Sequence, residues 1–494
     1  GFVTSLTDHL DIDHQEYRPA ILYINGQFWG IQNLREKVNE HFIASNHNID
    51  AEHIDLLAGN GGEVNNGYLE VVNGTRTDYL NLIDYIELND MNDEVVQNAI
   101  ENWIDIDSFL SYHAFQIFID NRDWPGNNIK FWRDQRPGGK WRWILYDTDF
   151  GFGIWDANAF SFNTLNFALE ENGPGWPNPP WSTLIFRKII TNNHFKDRFI
   201  SLYCDLLNTT FKPDNLTDHL DSIKNNIEDI IPRHRNKWYN NGSWPNSTIN
   251  REGRINSIYF FIEHRPIYAR SHIRTQFALG SMVELTTNIL PDNSGYLHLN
   301  SIKIIENQWT GLYFPDIISE VEALSKPGYE FSHWEEYPDS GSTMRLISIP
   351  ESLTAIFIES NLSPGEIVIN EINYNSNTEH DTGDWVELIN KGQSTVNLSN
   401  WVLKDDDNSH SFIFPEGTII GENEYLIISQ DQNLFSSFHP SVNNLLGPMD
   451  FGLSGGGDQI RVYDNYGSLI DSVEYDDSEP WPNSPDGNGY TLEL

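Results

Sequence analysis

Near Ala278 the apolar residues of this chain change period, and that change constrains its architecture more than any other feature. Before it they recur at three and four: Ile100, Trp103, Ile104, Phe109, Leu110, Ala114 and Ile117 form one such series. This is the spacing of one helix face. It predicts a helix over 95–119, with others over 37–46, 183–208, 215–238 and 255–277. Strands are mixed in. Ala20 to Gln32 reads as a hairpin turning at Asn25-Gly26, the strongest short hairpin signal. Two strands over 129–132 and 141–146 are joined by Pro137-Gly138-Gly139. After Ala278 the residues alternate, with turn residues at short intervals (VELTTNI, GYLHLNSIKII, GYEFSHWEEY, SLTAIFI). This predicts a small all-β module over 279–360. NLSPG at 361–365 reads as a linker. About seven alternating strands then fill 366–494 and predict a β-sandwich. The fold class is multidomain: an α+β region over 1–278, the small module over 279–360 and the sandwich over 361–494. A prior of about 150 residues per domain agrees with this.

Composition decides what such a chain can partner. With 39% hydrophobic residues and 16 Trp, there is enough apolar material for real cores. Against 30 basic residues stand 72 acidic ones, a net charge of −42. Nucleic acid and anionic membrane surfaces are repelled by such a charge. No apolar run approaches the roughly 20 residues of a membrane-spanning helix. The chain opens at Gly1-Phe2-Val3 without a signal peptide, which suggests a mature form or a fragment. Cys204 is the single cysteine, so no internal disulfide forms. Its setting, FISLYCDLL, predicts a buried helix face.

The chemistry concentrates in two segments, DNRDWPGNNIKFWR (120–133) and WILYDTDFGFG (143–153). A carboxylate, paired amides, and then a strand ending in a second acidic pair make a phosphoryl-transfer layout. Asp123 would orient or deprotonate an attacking hydroxyl; the alternative is an Asp that caps the Trp-Pro-Gly turn. Asn127 and Asn128 offer amide oxygens suited to magnesium. Strand geometry would point them to opposite faces, so that one reaches the metal and the other braces the loop. Asp147 and Asp149, two apart at a strand end, are expected on one face, where their repulsion calls for a cation. Magnesium with a nucleotide and calcium are the two readings, because D-x-D-x-G at 147–151 also opens many calcium loops. Position 12 of such a loop would be Asn158, not Glu. A structural turn network is the third reading. Glu36 would line a nucleotide cleft or be a solvated linker carboxylate. Arg122 would bind phosphate or pair with a neighbouring acid.

Other features carry less. Gly59-Asn60-Gly61-Gly62 reads as a flexible loop. His113, His194, His234 and His264 show no H-E-x-x-H spacing, so zinc is not expected of them. Asp405-Asp406-Asp407 reads as a solvated turn, and Trp385 and Trp401 as core.

Residues 15–278 resemble the spore-coat CotH kinase family. The resemblance rests on YINGQFWGIQNLREKVNEHFI (23–43), DNRDWPGNNIKFW (120–132), KWRWILYDTDFGFG (140–153) and PPWSTLIFRKIITNNHFKDRF (179–199). It implies an atypical, reduced protein-kinase-like fold that transfers phosphate from ATP to protein. It implies that Asp123 is the catalytic-loop Asp, that Asn127 or Asn128 is the metal-holding amide, and that Asp147 is the metal Asp. Asp149 is then the second acidic position, and Tyr146 stands where the family usually has Trp. The implied cofactors are ATP and magnesium, with manganese or calcium as alternatives. The family's ATP-anchoring Lys lies upstream of the hairpin block, a position that Lys37 does not match. The sequence begins too late to contain it, so the resemblance implies either a fragment that lacks part of its N-lobe or a pseudokinase acting as a surface adhesion or scaffold protein.

The last region resembles a lamin-tail domain, an immunoglobulin-like sandwich, through INEI (369–372), DWVELIN (384–390), LSNWVLKD (398–405), FPEGTII (414–420) and FGLSGGGDQIRVYD (451–464). KPGYEFSHWEE (326–336) and LTAIF (353–357) give the middle module a resemblance to bacterial surface repeats. Together they imply an exported bacterial protein, secreted or at the cell surface, with a protein substrate or a surface partner.

Overall fold

The computed structural model describes residues 1–8, 10–47, 49–59, 69–171, 179–238, 251–326, 329–359, 367–377, 380–407, 410–477, 481–482 and 484–494. The glycine cluster at 60–62 and the linker at 361–365 lie outside the described residues.

The first region contains strands β1 (Asp13–His14), β2 (Tyr17–Ile24), β3 (Gln27–Arg35), β4 (Ile54–Gly59), β5 (Glu70–Asn73), β6 (Ile129–Asp134) and β7 (Arg142–Leu145). Its helices are α1 (Phe2–Ser5), α2 (Glu40–His47), α3 (Thr77–Leu88), α4 (Glu94–Trp103), α5 (Ile106–Phe118), α6 (Thr164–Leu169), α7 (Pro180–Ile189), α8 (Asn193–Asn208), α9 (Pro213–Asn225), α10 (Ile231–Trp238) and α11 (Arg251–Gln276). One sheet runs β1-β7-β6-β4-β5, and β2-β3 form a separate hairpin. The hairpin turns at Asn25 and Gly26, with φ of 49° and 75°, the left-handed pair that a two-residue turn needs. The helix α10 docks on this hairpin: His234 Nδ1 lies 3.0 Å from the Ile31 amide, and Arg233 sits 4.0 Å from the Phe28 ring centroid.

Three of the expected helices are broken, each for a local reason. The helix expected over 95–119 splits into α4 and α5 because Ile104 is extended and bridges to Trp141. Asp105 then caps the new start by accepting from the Ser108 amide. The helix expected over 183–208 splits into α7 and α8 at Asn192. Its side chain accepts from the Phe195 amide and donates to the Met91 carbonyl, 2.5 Å away. The helix expected over 215–238 splits into α9 and α10 around a short 3-10 turn at Glu228–Ile230.

Two four-stranded sheets make up the middle module, and its core is not its own. One continuous cluster of buried residues runs from Val3 in the first region to Phe357 in the module. A buried carboxylate sits at this junction. Asp205 of α8 accepts from the Ser301 amide (3.0 Å) and hydroxyl (2.6 Å) and from the Tyr313 hydroxyl (2.8 Å). Burial raises its carboxyl to about 6, with the hydrogen bonds opposing. A folded value above the unfolded one, about 3.9, means that protonation favours the folded state. The gain begins as pH falls through 6 and is complete below about 4. Between pH 7.5 and 5, the unfolding free energy of the wild type should rise by about 1.4 kcal/mol relative to Asp205→Asn. Urea denaturation at the two pH values measures this, and parallel pH dependences would count against it.

The last region has its own core, formed by residues such as Ile372, Val386, Leu388, Trp401, Phe414 and Val462. Its larger sheets contain five and four strands, the two-layer arrangement of an immunoglobulin-like sandwich. Asp405 is not the solvated residue the sequence suggests. It is 3% exposed, because His410, 2.6 Å away, pairs with its carboxylate and Arg461 donates to its carbonyl. Trp385 and Trp401 are buried. So is Cys204, on α8.

Candidate active site

Helix α5 is buried almost throughout, and its end aims the first acidic segment. Asp120 takes a left-handed φ of 55° just past the helix. Asn121 is held by its own amide on the Gln116 side chain (2.9 Å), and its Oδ1 accepts from the Asp123 amide (3.2 Å). Trp124 is fully buried and anchors the loop.

Asp123 projects from this loop and is half-buried. Asn127 Nδ2 donates to its Oδ1 (2.9 Å) and Asn128 Nδ2 to its Oδ2 (2.8 Å). The two amides therefore converge on one carboxylate instead of diverging to opposite faces. The reason is that β6 starts only at Ile129, while Asn128 is left-handed with φ of 50°. With its nitrogen on Asp123, each amide turns its oxygen away from that carboxylate.

The second acidic segment follows β7. Asp147 and Asp149 do come together, but not by strand pleat. The strand ends at Leu145, and Asp147 is left-handed with φ of 48°. Behind them, the Phe152 amide donates to the Ile119 carbonyl (2.8 Å) and ties this turn to the end of α5. A Cβ on Gly151 would lie 3.1 Å from that carbonyl oxygen, which explains a glycine there. Partial burial and then the charge of Asp149 push the Asp147 carboxyl above its ordinary value; Asp123 adds to this and Arg35 opposes it. Carboxylates placed so close hold a shared proton or a cation, so this donor set fits a divalent ion.

Arg35 carries no motif and is missed from the sequence. It ends β3, and with Gln15, Tyr17, Asp147, Thr148 and Asp149 it lines a cleft of about 170 Å³. Its only forewarning is its place in LREK, beside the Glu36 that the sequence singles out. Glu36 itself braces the backbone: its carboxylate accepts from the Glu16 amide (3.0 Å). Arg122 is turned toward a structural network. It pairs with Asp156 (2.6 Å) and Asp120 (3.2 Å), and its guanidinium lies 4.4 Å from the Phe162 ring centroid. Asp123, Asn127 and Asn128 thus form one group and Asp147, Asp149 and Arg35 a second. The field of Asp123 reaches Asp147.

The family comparison bears on this geometry. The family description "CotH kinase protein" matches residues 1–269, more than half of the chain. The chain belongs to the CotH kinase family. Its first region is therefore a CotH-type kinase or pseudokinase domain, a family whose chemistry is that of ATP-dependent kinases. Residues 360–477 match the Lamin Tail Domain, in the order expected after the CotH domain. No curated protein matches the chain. One solved structure, a DUF4876 family protein from Bacteroides thetaiotaomicron VPI-5482, is 10% identical, covers 40% of this chain and 79% of its own, and has a TM-score of 0.17. That superposition is too low for any structural argument. Among the described residues, no helix is long and apolar enough to cross a membrane.

Proposed function

We propose that this chain is an exported bacterial CotH-type atypical protein kinase that transfers the terminal phosphate of ATP to a protein hydroxyl. The observation that carries the reading is the Asp123 carboxylate, gripped by two amides and lying in the field of Asp147. Each Asp123 oxygen accepts one amide hydrogen and keeps lone-pair capacity for a hydroxyl proton. Asp123 is then the group that orients and accepts the proton of the attacking hydroxyl. Asp147, with Asp149 and an amide oxygen of Asn127 or Asn128, would hold a divalent ion. Bound there, that ion would neutralise charge on the transferred phosphoryl group. Arg35 adds a fixed positive charge beside the same carboxylates and would steady the phosphate chain. The β modules would serve surface association or partner binding.

A second reading has its own observation. Among the described residues lining the cleft, Arg35 is the one with a cationic side chain, and no Lys takes part. In that reading the chain is a pseudokinase that acts as a surface scaffold, and Arg35 balances the cleft carboxylates without holding a phosphate. Incubating the chain with radiolabelled ATP, magnesium and hydroxyl-rich proteins separates the two. Magnesium-dependent labelling supports the kinase; absence of both labelling and ATP affinity supports the scaffold. Arg35→Ala should raise the KM for ATP about tenfold, the worth of one charge-assisted hydrogen bond. An unchanged KM would remove Arg35 from the phosphate site.

A further inference from the structure

We propose that His14, Asp8 and Glu16 form a zinc site outside the cleft, independent of the kinase reading. His14 is on β1, Glu16 follows two residues later on the same extended segment, and Asp8 comes from the turn after α1. One oxygen from each carboxylate and a His14 ring nitrogen all lie within 4.8 Å of one another. The second observation concerns that nitrogen. His14 Nδ1 lies 3.0 Å from the Ile12 carbonyl oxygen. A carbonyl only accepts, so Nδ1 carries the hydrogen, and in the neutral ring Nε2 is left with a lone pair. Nε2 is shut off from solvent and forms no hydrogen bond, although Asp8 Oδ1 is 3.3 Å away and Glu16 Oε1 3.5 Å. With its side chain only 15% exposed, an acceptor that faces two acceptors is unfavourable unless a proton or a metal ion lies among them.

The separations of 3.3 and 3.5 Å from His14 Nε2 fit zinc. Bonds of about 2.0–2.1 Å in a tetrahedral shell place ligand atoms roughly 3.3–3.4 Å apart. One imidazole and two carboxylates are a borderline-to-hard donor set. The Nδ1–carbonyl bond is the usual outer partner that orients a ligating histidine. Asp8 and Glu16 are 59% and 65% exposed, which leaves the fourth position to water. The histidines set aside from the sequence, at 113, 194, 234 and 264, take no part. Gln15, between the two ligands, lines the cleft, so the ion would pin the strand that carries it.

Zinc titration of the full chain tests this in an Asp147→Asn background, which weakens the all-oxygen site in the cleft. Calorimetry should find one zinc ion, and ¹⁵N spectra of the ring should show its coordination to His14 Nε2. In the same background His14→Gln should weaken that binding more than tenfold. Glu16→Gln, at an exposed position, should weaken it too and serves if the first variant folds poorly. Zinc binding indifferent to both substitutions overturns the site. A His14 ring that carries both protons at neutral pH and ignores added zinc also overturns it, leaving an ion pair.

Discussion

Asp147→Asn is expected to lower phosphate transfer by on the order of 10³-fold while leaving the domain folded. A divalent ion contributes several kcal/mol of charge stabilisation to phosphoryl transfer, and about 4 kcal/mol corresponds to 10³ in rate. The fold should survive because Asn tolerates the left-handed φ of 48° that Asp147 adopts. Stability should even rise slightly. The wild-type carboxyl is pushed up by partial burial and by Asp149, and the substitution removes that repulsion. Asp123→Asn should also lose 10² to 10⁴ in rate, but with magnesium and ATP affinity retained, since Asp123 faces the hydroxyl rather than the ion. Asp149→Asn should cost less than Asp147→Asn. Single-turnover labelling, ATP binding and melting temperature together distinguish these outcomes. Full transfer by Asp147→Asn would sink the assignment of the metal side, and a collapsed melting temperature would reduce it to a structural role.

The sequence exposes this site unevenly, and the differences have physical causes. Asn25-Gly26 is legible because a two-residue turn needs two left-handed residues, and few pairs supply them. The period change near Ala278 matches the passage from a mixed α and β region, whose last helix ends at Gln276, to strands that begin at Val283. It cannot show that the two regions share a core, since Asp205, Ser301 and Tyr313 meet only in three dimensions. The break at Ile104 is hidden because Ile104 continues the apolar series on either side of it. What ends the helix there is its bridge to Trp141, a contact distant in sequence. At the site, residue types are legible and directions are not. Asn127 and Asn128 share a target because one φ changes sign. Arg122 and Glu36 are chemically suited to a cleft, yet both are satisfied by local partners. Arg35 is the reverse, an ordinary strand-end cation whose role comes only from what lies across the cleft.

The largest effect on stability should come from Asp13, far from any motif. Its side chain is 7% exposed. It accepts from Trp132 Nε1 (2.6 Å) and from Arg142 Nε (3.2 Å) and Nη2 (3.1 Å), and His47 Nε2 lies 3.1 Å away. Burial alone would raise its carboxyl, but the His47 hydrogen bond and the Arg142 charge hold it at about 2. Arg142 also pairs with Asp105, the residue that caps α5. One carboxylate thus joins β1, β6, β7 and the end of α2. Asp13→Asn leaves the buried Arg142 charge with less compensation, a change that costs about 3–5 kcal/mol when a buried pair is broken. The lower figure applies here, because Asp11 and Asp105 remain as partners of Arg142. Urea denaturation followed by tryptophan fluorescence should show the loss. The effect should reach the cleft as well. The strand β1 pairs in parallel with Ile144 and Leu145 of β7, and Asp147 lies two residues beyond that pairing. Loosening β1 should therefore slow phosphate transfer in the surviving folded fraction, whereas a purely global destabilisation would leave the rate per folded molecule unchanged.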